Sequence, residues 1–382
     1  MRDKQYLLIP GPTPVPPSVQ AAMAKPVFGH RSEDFARLYE RIEEKLKKIF
    51  QTKNEVFVLT CSGTGGMEAA VANTISPGEK VLALITGNFG ERFANIARAY
   101  GAEVEELRFP WGEDVKLDVL AGKLDRGGSY KAVLATQNET STGVLNDIAG
   151  IGALVARTNA LLLVDGVSGV GGAEIKADDW GVDILVTASQ KAFMLPPGLA
   201  MLSVSEKAWQ AIEKNRSPRF YFSLPAAKKS FASWNTPYTP NVTLFLGLEA
   251  ALDMMLAEGM EKIYARHRLL ARAVREAVKA LGLSLLARER CASPTVTAVF
   301  APEGIGADEI RKILRTEYGV IFAGGQGALK GKIFRIAHMG FAGMADVIVA
   351  AGALEMALAR MGLKIELGAG VRKAQEVFLG RA

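Results

Sequence analysis

Residues 160–191 read ALLLVDGVSGVGGAEIKADDWGVDILVTASQK. They contain two apolar runs, Ala160–Val164 and Ile184–Thr187, whose length and continuous hydrophobicity are typical of strands buried on both faces. Asp165 follows the first run directly, and Lys191 follows the second run after three residues. Lys191 lies 26 residues after Asp165, which suits one strand–crossover–strand unit. The segment therefore predicts two strands of a parallel sheet with an acid and a lysine just beyond their carboxyl ends.

Four more apolar runs continue this pattern over residues 55–205, and helical stretches lie between them. The runs are Glu55–Thr60, Lys80–Ile85, Ala132–Thr136 and Leu199–Val204. Alternation of buried strands with helices predicts an α/β fold with a mostly parallel sheet covered by helices on both faces. Because such sheets bind ligands at the carboxyl ends of their strands, we expect the functional residues directly after these runs.

The segments that flank this region predict an arm and a smaller domain. Six prolines within the first 30 residues predict an extended arm without regular helix, and Ser32 then suits the N-cap of an amphipathic helix. Beyond residue 240 the pattern predicts two long helices, followed by shorter strands and helices. We therefore expect three parts: an N-terminal arm at 1–30, a large domain at 31–255 and a small C-terminal α+β domain at 256–382.

The composition argues against several classes of protein. The 382 residues include 46 Lys+Arg and 40 Asp+Glu, but the two signs are interleaved, which argues against a nucleic-acid-binding groove. Cys61 and Cys291 are too few for a disulfide framework, and three histidines offer no zinc cluster, so no metal site is expected. There is no signal-peptide pattern and no apolar stretch of about 18–20 residues. We expect a soluble, cytoplasmic protein that binds neither nucleic acid nor membrane.

Three clusters of polar residues lie just after predicted strands. Ser62-Gly63-Thr64-Gly65 opens a helix, where backbone N–H groups and two hydroxyls can hold an anion, although a tight strand–helix turn has the same composition. Asp165 ends a buried strand and needs a positive partner or a capping role. Lys191 is either a desolvated nucleophile or an ordinary surface lysine. Together, an anion cradle, a carboxylate and a lysine are what pyridoxal 5′-phosphate requires of its binding site.

These residues belong to a longer series of motifs in which the chain resembles the fold-type I, class V pyridoxal-phosphate aminotransferases, close to the alanine–glyoxylate and serine–pyruvate group. The resemblance covers nearly the whole chain and implies a large domain with a mostly parallel seven-stranded sheet and a smaller C-terminal domain. The motifs that carry it are Ile9-Pro10-Gly11-Pro12, Ser62-Gly63-Thr64-Gly65, Gly87-Asn88-Phe89-Gly90-Glu91-Arg92, Asn138-Glu139-Thr140-Ser141-Thr142-Gly143, Val164-Asp165-Gly166-Val167, Ser189-Gln190-Lys191-Ala192, Tyr238-Thr239-Pro240 and Phe334-Arg335-Ile336.

The resemblance assigns roles around the cofactor. It implies that Lys191 carries pyridoxal phosphate and shuttles the substrate proton, while Asp165 keeps the pyridine nitrogen protonated. The resemblance also implies that the phosphate of the cofactor is held by Ser62, Gly63, Thr64 and Gln190. The two faces of its ring would lie against Phe89 and Val167, and its ring hydroxyl would contact Ser141.

The resemblance also implies how substrate and subunits meet. Arg335 would bind the substrate carboxylate as a bidentate pair, which Lys could not reproduce, and Gly11 in the arm would close over the substrate. Thr239, with Tyr238, would reach the phosphate held by the neighbouring subunit. A homodimer with shared active sites is therefore expected.

The activity implied is transfer of the amino group of alanine or serine to glyoxylate or pyruvate, by a ping-pong mechanism through aldimine and ketimine. An aspartate or phosphoserine aminotransferase is the first alternative; a dicarboxylate needs a second cation, for which Arg31 is the near candidate. A desulfurase or lyase is a further alternative, but it needs a loop cysteine, and the ring position holds Phe89. A non-catalytic protein with the same fold is the last.

Overall fold

The computed structural model describes residues 5–381. The strands are β1 Tyr6–Leu8, β2 Val56–Leu59, β3 Lys80–Ile85, β4 Glu103–Arg108, β5 Ala132–Thr136, β6 Asn138–Glu139, β7 Val144–Leu145, β8 Leu161–Asp165, β9 Ile184–Ala188, β10 Ala200–Val204, β11 Val296–Phe300, β12 Val320–Gly324 and β13 Ile333–Ala337. The helices are α1 Pro17–Met23, α2 Glu33–Phe50, α3 Gly63–Thr74, α4 Asn88–Ala99, α5 Leu117–Arg126, α6 Ile148–Val155, α7 Glu206–Lys214, α8 Leu224–Phe231, α9 Val242–Glu258, α10 Met260–Ala280, α11 Ala307–Tyr318, α12 Met344–Arg360 and α13 Ala369–Phe378. Short 3₁₀ turns lie at Glu289–Cys291 and Gly327–Leu329.

The larger sheet has seven strands in the order β2-β10-β9-β8-β5-β3-β4. Only β10 runs antiparallel to its neighbours, so the predicted mostly parallel sheet is confirmed. In the register of β8, Asp165 pairs with Thr136 on one side and with Val186 on the other. Asp165 therefore lies at the carboxyl edge, next to the strand that leads to Lys191, as the sequence of residues 160–191 predicts.

One strand of this sheet escapes the sequence pattern. The edge strand β4 has the sequence EVEELR and is mostly half-exposed, so it lacks the continuous apolar character used to recognise its neighbours. Its side chains form ion pairs instead: Glu105 pairs with Lys123, Glu106 with Arg98, and Arg108 with both Glu91 and Glu106. Charges along an exposed edge also oppose pairing with another chain.

A second sheet of four strands has the order β1-β12-β13-β11. The arm contributes β1, which pairs in parallel with β12, so that Tyr6 lies opposite Val320. Two apolar cores accompany the two sheets: one contains Phe35 and Leu163, and the other contains Leu8, Phe322 and Phe334. The division at 31–255 and 256–382 remains a proposal; its boundary lies inside α9.

The prediction of an arm without helix is wrong for residues 17–23. Pro17 occupies the first turn of α1, where a missing N–H costs nothing and the fixed φ angle suits a helix. The prediction for Ser32 is confirmed, because its side chain accepts a hydrogen bond from the backbone N–H of Phe35 at the start of α2. No helix within residues 5–381 combines the length and apolar character needed to span a membrane.

Candidate active site

A pocket of about 490 Å³ lies between the carboxyl edge of the large sheet and the strands β12 and β13 of the smaller sheet. Residues of the arm close it on another side. Ten of the residues proposed for the site line this pocket: Gly11, Ser62, Gly63, Thr64, Phe89, Asp165, Val167, Gln190, Lys191 and Arg335. Three others, Ser141, Tyr238 and Thr239, do not line it.

Lys191 is buried in the pocket beside the arm. Its Nζ donates a hydrogen bond to the carbonyl oxygen of Pro10, and its own carbonyl accepts one from Thr13 Oγ1 at 2.8 Å. Burial lowers the pKa of Lys191 to about 8; the charge of Asp165 opposes this change, and those of Arg335 and Arg92 add to it. Near neutral pH a part of the lysine population therefore carries a neutral amine, the form that acts as a nucleophile or base.

Asp165 ends β8 with its carboxylate fully enclosed. The backbone N–H of Val167 donates to Oδ1 at 2.9 Å, which fixes the orientation of the carboxylate. Burial raises the pKa of Asp165 to about 7, and the charge of Glu139 acts in the same direction, whereas Val167, Lys191 and Arg92 oppose it. Such a carboxylate is stabilised in its ionised form by a cation bound in the pocket.

The start of α3 forms a cradle with unused donors. Ser62 is the N-cap, yet its side chain makes no capping hydrogen bond. Gly63 lies against Val167, because a Cβ on Gly63 would be 2.8 Å from Val167 Cγ2. The buried Oε1 of Gln190 has no hydrogen-bond partner among residues 5–381. A helix N-terminus with free N–H groups and hydroxyls suits an anion such as phosphate, whereas the unpaired Gln190 oxygen is an acceptor and suits a donor.

Arg335 lies on β13 and is 5% exposed. Its Nε donates to Gly324 O and its Nη1 to Thr140 O, both at 2.9 Å, so these two bonds go to carbonyl oxygens. Burial lowers the pKa of Arg335 to about 10, which still leaves the guanidinium charged at neutral pH. A buried cation whose bonds go to neutral groups favours an incoming anion, and its Nη2 remains available for one.

The Ser141 hydroxyl forms a hydrogen bond with a neighbouring carboxylate and does not line the pocket. Its Oγ donates to Glu139 Oε1 and accepts from the backbone N–H of Asn88 at 2.9 Å. The adjacent Thr140 lines the pocket in its place. The Ser141 hydroxyl is fully buried and does not line the pocket, and the implied contact of Ser141 with the ring hydroxyl stays a prediction.

Glu139 is a buried residue that the sequence analysis did not select. Its Oε2 accepts from the backbone N–H groups of Phe89 and Gly90 at 3.0 and 3.1 Å, and its Oε1 accepts from Ser141. The carboxylate thus caps α4, whose own N-cap residue, Gly87, has no side chain to do so. The sequence around α4 indicates only that Gly87 cannot cap the helix. It does not indicate that the capping carboxylate comes from about 50 residues away.

Two arginines of the pocket were also missed. Arg92 donates from Nη1 to Thr64 Oγ1 at 3.1 Å, and its guanidinium lies over the Phe89 ring, 4.7 Å from the centroid. Its signal was its position three residues after Phe89 on the same helix. Arg311 reaches the pocket from α11, and nothing local distinguishes it from a surface arginine.

Arg31, the expected second cation, lies elsewhere. Its guanidinium donates to the carbonyl oxygens of Thr236 and Pro237 and does not line the pocket of its own chain, so its role as a second cation stays a prediction. Its bonds hold the segment between the arm and α2 against the loop that leads to Tyr238 and Thr239. The carbonyl oxygens of this loop accept the hydrogen bonds of the Arg31 guanidinium, and these bonds keep the side chain outside the pocket of its own chain.

Tyr238 and Thr239 lie on the outside of the chain. Tyr238 stacks on Tyr221, with ring centroids 5.3 Å apart, and packs near Phe220, which is 78% exposed. Thr239 is exposed. These residues form an exposed aromatic patch, which we define as Phe220, Tyr221 and Tyr238.

Comparison with known proteins identifies the family. The family model described as "Aminotransferase class-V" matches residues 5–344. A soluble hydrogenase small subunit of Synechococcus sp. is 45% identical, and the match covers 99% of both chains. The L-aspartate–glyoxylate aminotransferase of Paracoccus denitrificans is 42% identical over 99% of this chain and 97% of that one. The serine–glyoxylate aminotransferase of Hyphomicrobium methylovorum is 41% identical over 98% and 94%, respectively.

Solved structures of the same group have the same fold. The ureidoglycine–glyoxylate aminotransferase of Bacillus subtilis has a TM-score of 0.94 at 31% identity and is matched over 98% of both chains. The pyridoxamine–pyruvate aminotransferase of Mesorhizobium loti has a TM-score of 0.94 at 36% identity, over 98% of this chain and 97% of that one. Matching in sequence and in structure along nearly its entire length, the chain belongs to the class V aminotransferases, a family of fold-type I, pyridoxal-phosphate-dependent transaminases.

Proposed function

We propose that this aminotransferase moves the amino group of a small L-amino acid, alanine or serine, to a 2-oxo acid, glyoxylate or pyruvate. The observation that carries the proposal is Arg335, a buried cation bonded to two carbonyls, in the same pocket as the buried amine of Lys191. An α-carboxylate on Arg335 holds the rest of a small substrate inside this pocket. The names of the relatives from Paracoccus, Hyphomicrobium and Bacillus all include glyoxylate, which supports it as the amino acceptor.

The residues of the pocket fit pyridoxal phosphate. Asp165 offers a carboxylate to the ring nitrogen, and Lys191 offers an amine to the carbonyl carbon. When bound, the cofactor withdraws electrons from the substrate Cα and so acidifies its proton. The phosphate suits the free backbone N–H groups and hydroxyls at the start of α3, and two apolar side chains suit the ring faces. The residues proposed to hold the cofactor are Ser62, Gly63, Thr64 and Gln190 for the phosphate, and Phe89 and Val167 for the ring.

Lys191 has the properties required to move a proton. With a pKa lowered to about 8, Nζ can take the proton from the substrate Cα as a neutral amine and release it again at the same pH. The arm sits directly over it, because a Cβ on Gly11 would lie 2.7 Å from Nζ. Gly11 thereby allows the backbone to approach the lysine closely, and the enclosed amine is protected from water.

Asp165 and Arg335 orient what Lys191 acts upon. Asp165 is held by Val167 and would accept a hydrogen bond from the protonated ring nitrogen of the bound cofactor, which would favour its own ionised form. Arg335 is fixed by Gly324 and Thr140 and presents its remaining N–H groups to a carboxylate. A substrate anchored at its carboxylate places Cα at a constant position relative to Nζ.

A desulfurase is less well supported. Its reaction needs a reactive thiolate near the cofactor, whereas burial raises the pKa of Cys61 to about 12. Cys291 is buried, and burial raises the pKa of its thiol as well. Neither cysteine lines the pocket.

We also propose a homodimer in which Tyr238 and Thr239 reach the phosphate site of the second subunit. The exposed aromatic patch beside Thr239 supports this proposal, because large aromatic side chains at a surface are typical of interfaces. In analytical ultracentrifugation we expect the wild-type protein to sediment with twice the mass of the chain and the Phe220→Ser variant to sediment as a monomer. A wild-type monomer at micromolar concentration would contradict it. The cytoplasmic location stays a prediction.

The proposed function is tested with a panel of donors and acceptors. Alanine, serine, aspartate and phosphoserine are each paired with glyoxylate, pyruvate and 2-oxoglutarate. The control for Lys191→Ala is Lys176→Ala, which removes a half-exposed lysine outside the pocket. We expect alanine or serine with glyoxylate to be the best pairs, parallel lines in double-reciprocal plots, and no activity in Lys191→Ala. A wild-type protein that gains no visible absorbance with pyridoxal phosphate, or intersecting lines, would overturn the proposal.

A further inference from the structure

The pocket holds more positive charge than the proposed reaction uses. Four basic side chains line it, whereas Asp165 is the one carboxylate among its lining residues in the described chain. Lys191 is the reacting amine, and Arg335 takes the substrate α-carboxylate. Arg92 is bonded to Thr64 in the phosphate cradle. Arg311 is left without a role.

The structure holds the Arg311 side chain in place. From α11, its Nε donates to the carbonyl oxygen of Phe322 at 3.0 Å, and its Nη1 pairs with Asp308 at 2.6 Å. Neither contact uses Nη2. Asp308 is largely exposed, so solvent screens the pair, and the guanidinium keeps much of its attraction for a second anion. The side chain is therefore held in one position, and its Nη2 donors are not used by these two contacts. Recognition of an anion by arginine requires both properties.

Gly324 brings Arg311 close to Arg335. The carbonyl of Gly324 accepts from Arg335 Nε, while a Cβ on Gly324 would lie 2.6 Å from Arg311 Nη1. The two guanidiniums thus flank one residue that has no side chain to separate them. Burial lowers the pKa of Arg335, and the charge of Arg311 adds to this effect, which agrees with their proximity. Two neighbouring cations suit a ligand with two anionic groups.

We propose that Arg311 determines specificity by binding a second anionic group, carried by the side chain of the amino donor. The substrate class then includes amino acids with an acidic side chain, such as a carboxylate in aspartate or a phosphate in phosphoserine. This inference rests on the proposed function and widens its donors beyond alanine and serine. Arg335 binds the α-carboxylate of either class, and Arg311 acts only when the second anion is present.

The test compares holoenzyme variants in binding and in turnover. The variants are Arg311→Gln, Arg311→Lys and the control Arg315→Gln, which removes an exposed arginine of the same helix. Dissociation constants for succinate and for propionate are measured by calorimetry, which needs no turnover. We expect wild type and Arg315→Gln to bind succinate about tenfold more tightly than propionate, and Arg311→Gln to lose this difference. Arg311→Lys should keep part of it.

Turnover then identifies the anion. In Arg311→Gln we expect kcat/KM with glyoxylate to fall about 10- to 100-fold for the donor with the acidic side chain and less than about threefold for alanine. A larger fall for aspartate than for phosphoserine assigns a carboxylate, and the reverse assigns a phosphate. Equal falls for all donors, or no succinate preference in wild type, would overturn the inference. Absence of all transamination in wild type would overturn the proposed function, while the succinate measurement still decides the role of Arg311.

Discussion

Removal of the Glu139 side chain tests whether a distant carboxylate holds the pocket-facing end of α4. Glu139→Ala takes away the acceptors of two backbone N–H groups, those of Phe89 and Gly90, and of the Ser141 hydroxyl. Gly87 cannot replace them, because it has no side chain. Phe89 lines the pocket and is expected to lose its fixed position.

The size of the effect follows from these contacts. A hydrogen bond to a charged group contributes about 1.5–3 kcal/mol, and loss of an N-cap costs about 0.5–2 kcal/mol. Because the bonds of one carboxylate are not additive, we expect the free energy of opening of the first turn of α4 to fall by about 3 kcal/mol. At about 1.4 kcal/mol per factor of ten, this corresponds to roughly 150-fold faster exchange of the amide hydrogens.

Hydrogen–deuterium exchange of the cofactor-free protein measures this directly, on a peptide that covers residues 86–95. The matched control is Glu91→Ala, which removes a carboxylate from the same helical turn but breaks only an ion pair with the exposed Arg108. The control should change exchange by less than about fivefold. If Glu139→Ala exchanged within threefold of wild type, or if Glu91→Ala had the larger effect, Glu139 would not be the cap that holds Phe89.

Three further predictions concern the pocket. Lys191→Met should raise the free energy of unfolding of the cofactor-free protein by up to about 3 kcal/mol at pH 7. Because the pKa of Lys191 is lowered to about 8, the charged lysine destabilises the fold below that pH. The gain should therefore fade as the pH rises from 8 towards 10.5, the ordinary pKa of lysine, and urea denaturation at pH 7 and 10 checks this. Gly11→Ala should abolish most transamination and cofactor attachment while circular dichroism stays unchanged, because the residue has a φ of +106° and its Cβ would contact Lys191. Arg335→Lys should raise KM for the amino donor more than tenfold and change kcat less, because one ammonium cannot form the bidentate pair; equal changes in both constants would contradict this role.

Local patterns predicted the sheet well because a buried strand is recognisable from its own residues. Continuous apolar runs located β8 and β9, and parallel strands necessarily bring their carboxyl ends to one edge, so Asp165 and Lys191 could be placed together in advance. The apolar pattern does not reveal β4, because its charged side chains lie half-exposed at the edge of the sheet. It also missed α1, because the density of prolines concealed that Pro17 stands at a position where a helix accepts it.

The remaining features of the pocket depend on contacts between segments that are far apart in the chain. Ser141 and Glu139 belong to one motif, but only the folded chain shows that the serine bonds the acid behind the wall. The sequence suggested Arg31 as a second cation and gave no reason to select Arg311. Carbonyls of a distant loop hold Arg31 away from the pocket, whereas Phe322 and Gly324 place Arg311 beside it.

By itself, therefore, the sequence determined the α/β class, the parallel strands, and the acid and lysine at their ends, because hydrophobic period and strand length are local properties. Resemblance of motifs added the cofactor and the family. Only the tertiary structure decided which basic residues enter the pocket, that the Ser141 hydroxyl bonds Glu139 instead of lining it, and which carboxylate caps α4. These outcomes depend on the packing of β12, β13 and the arm against the large sheet. This packing brings together residues that are distant in the chain, and the sequence next to each residue does not indicate which others it will contact.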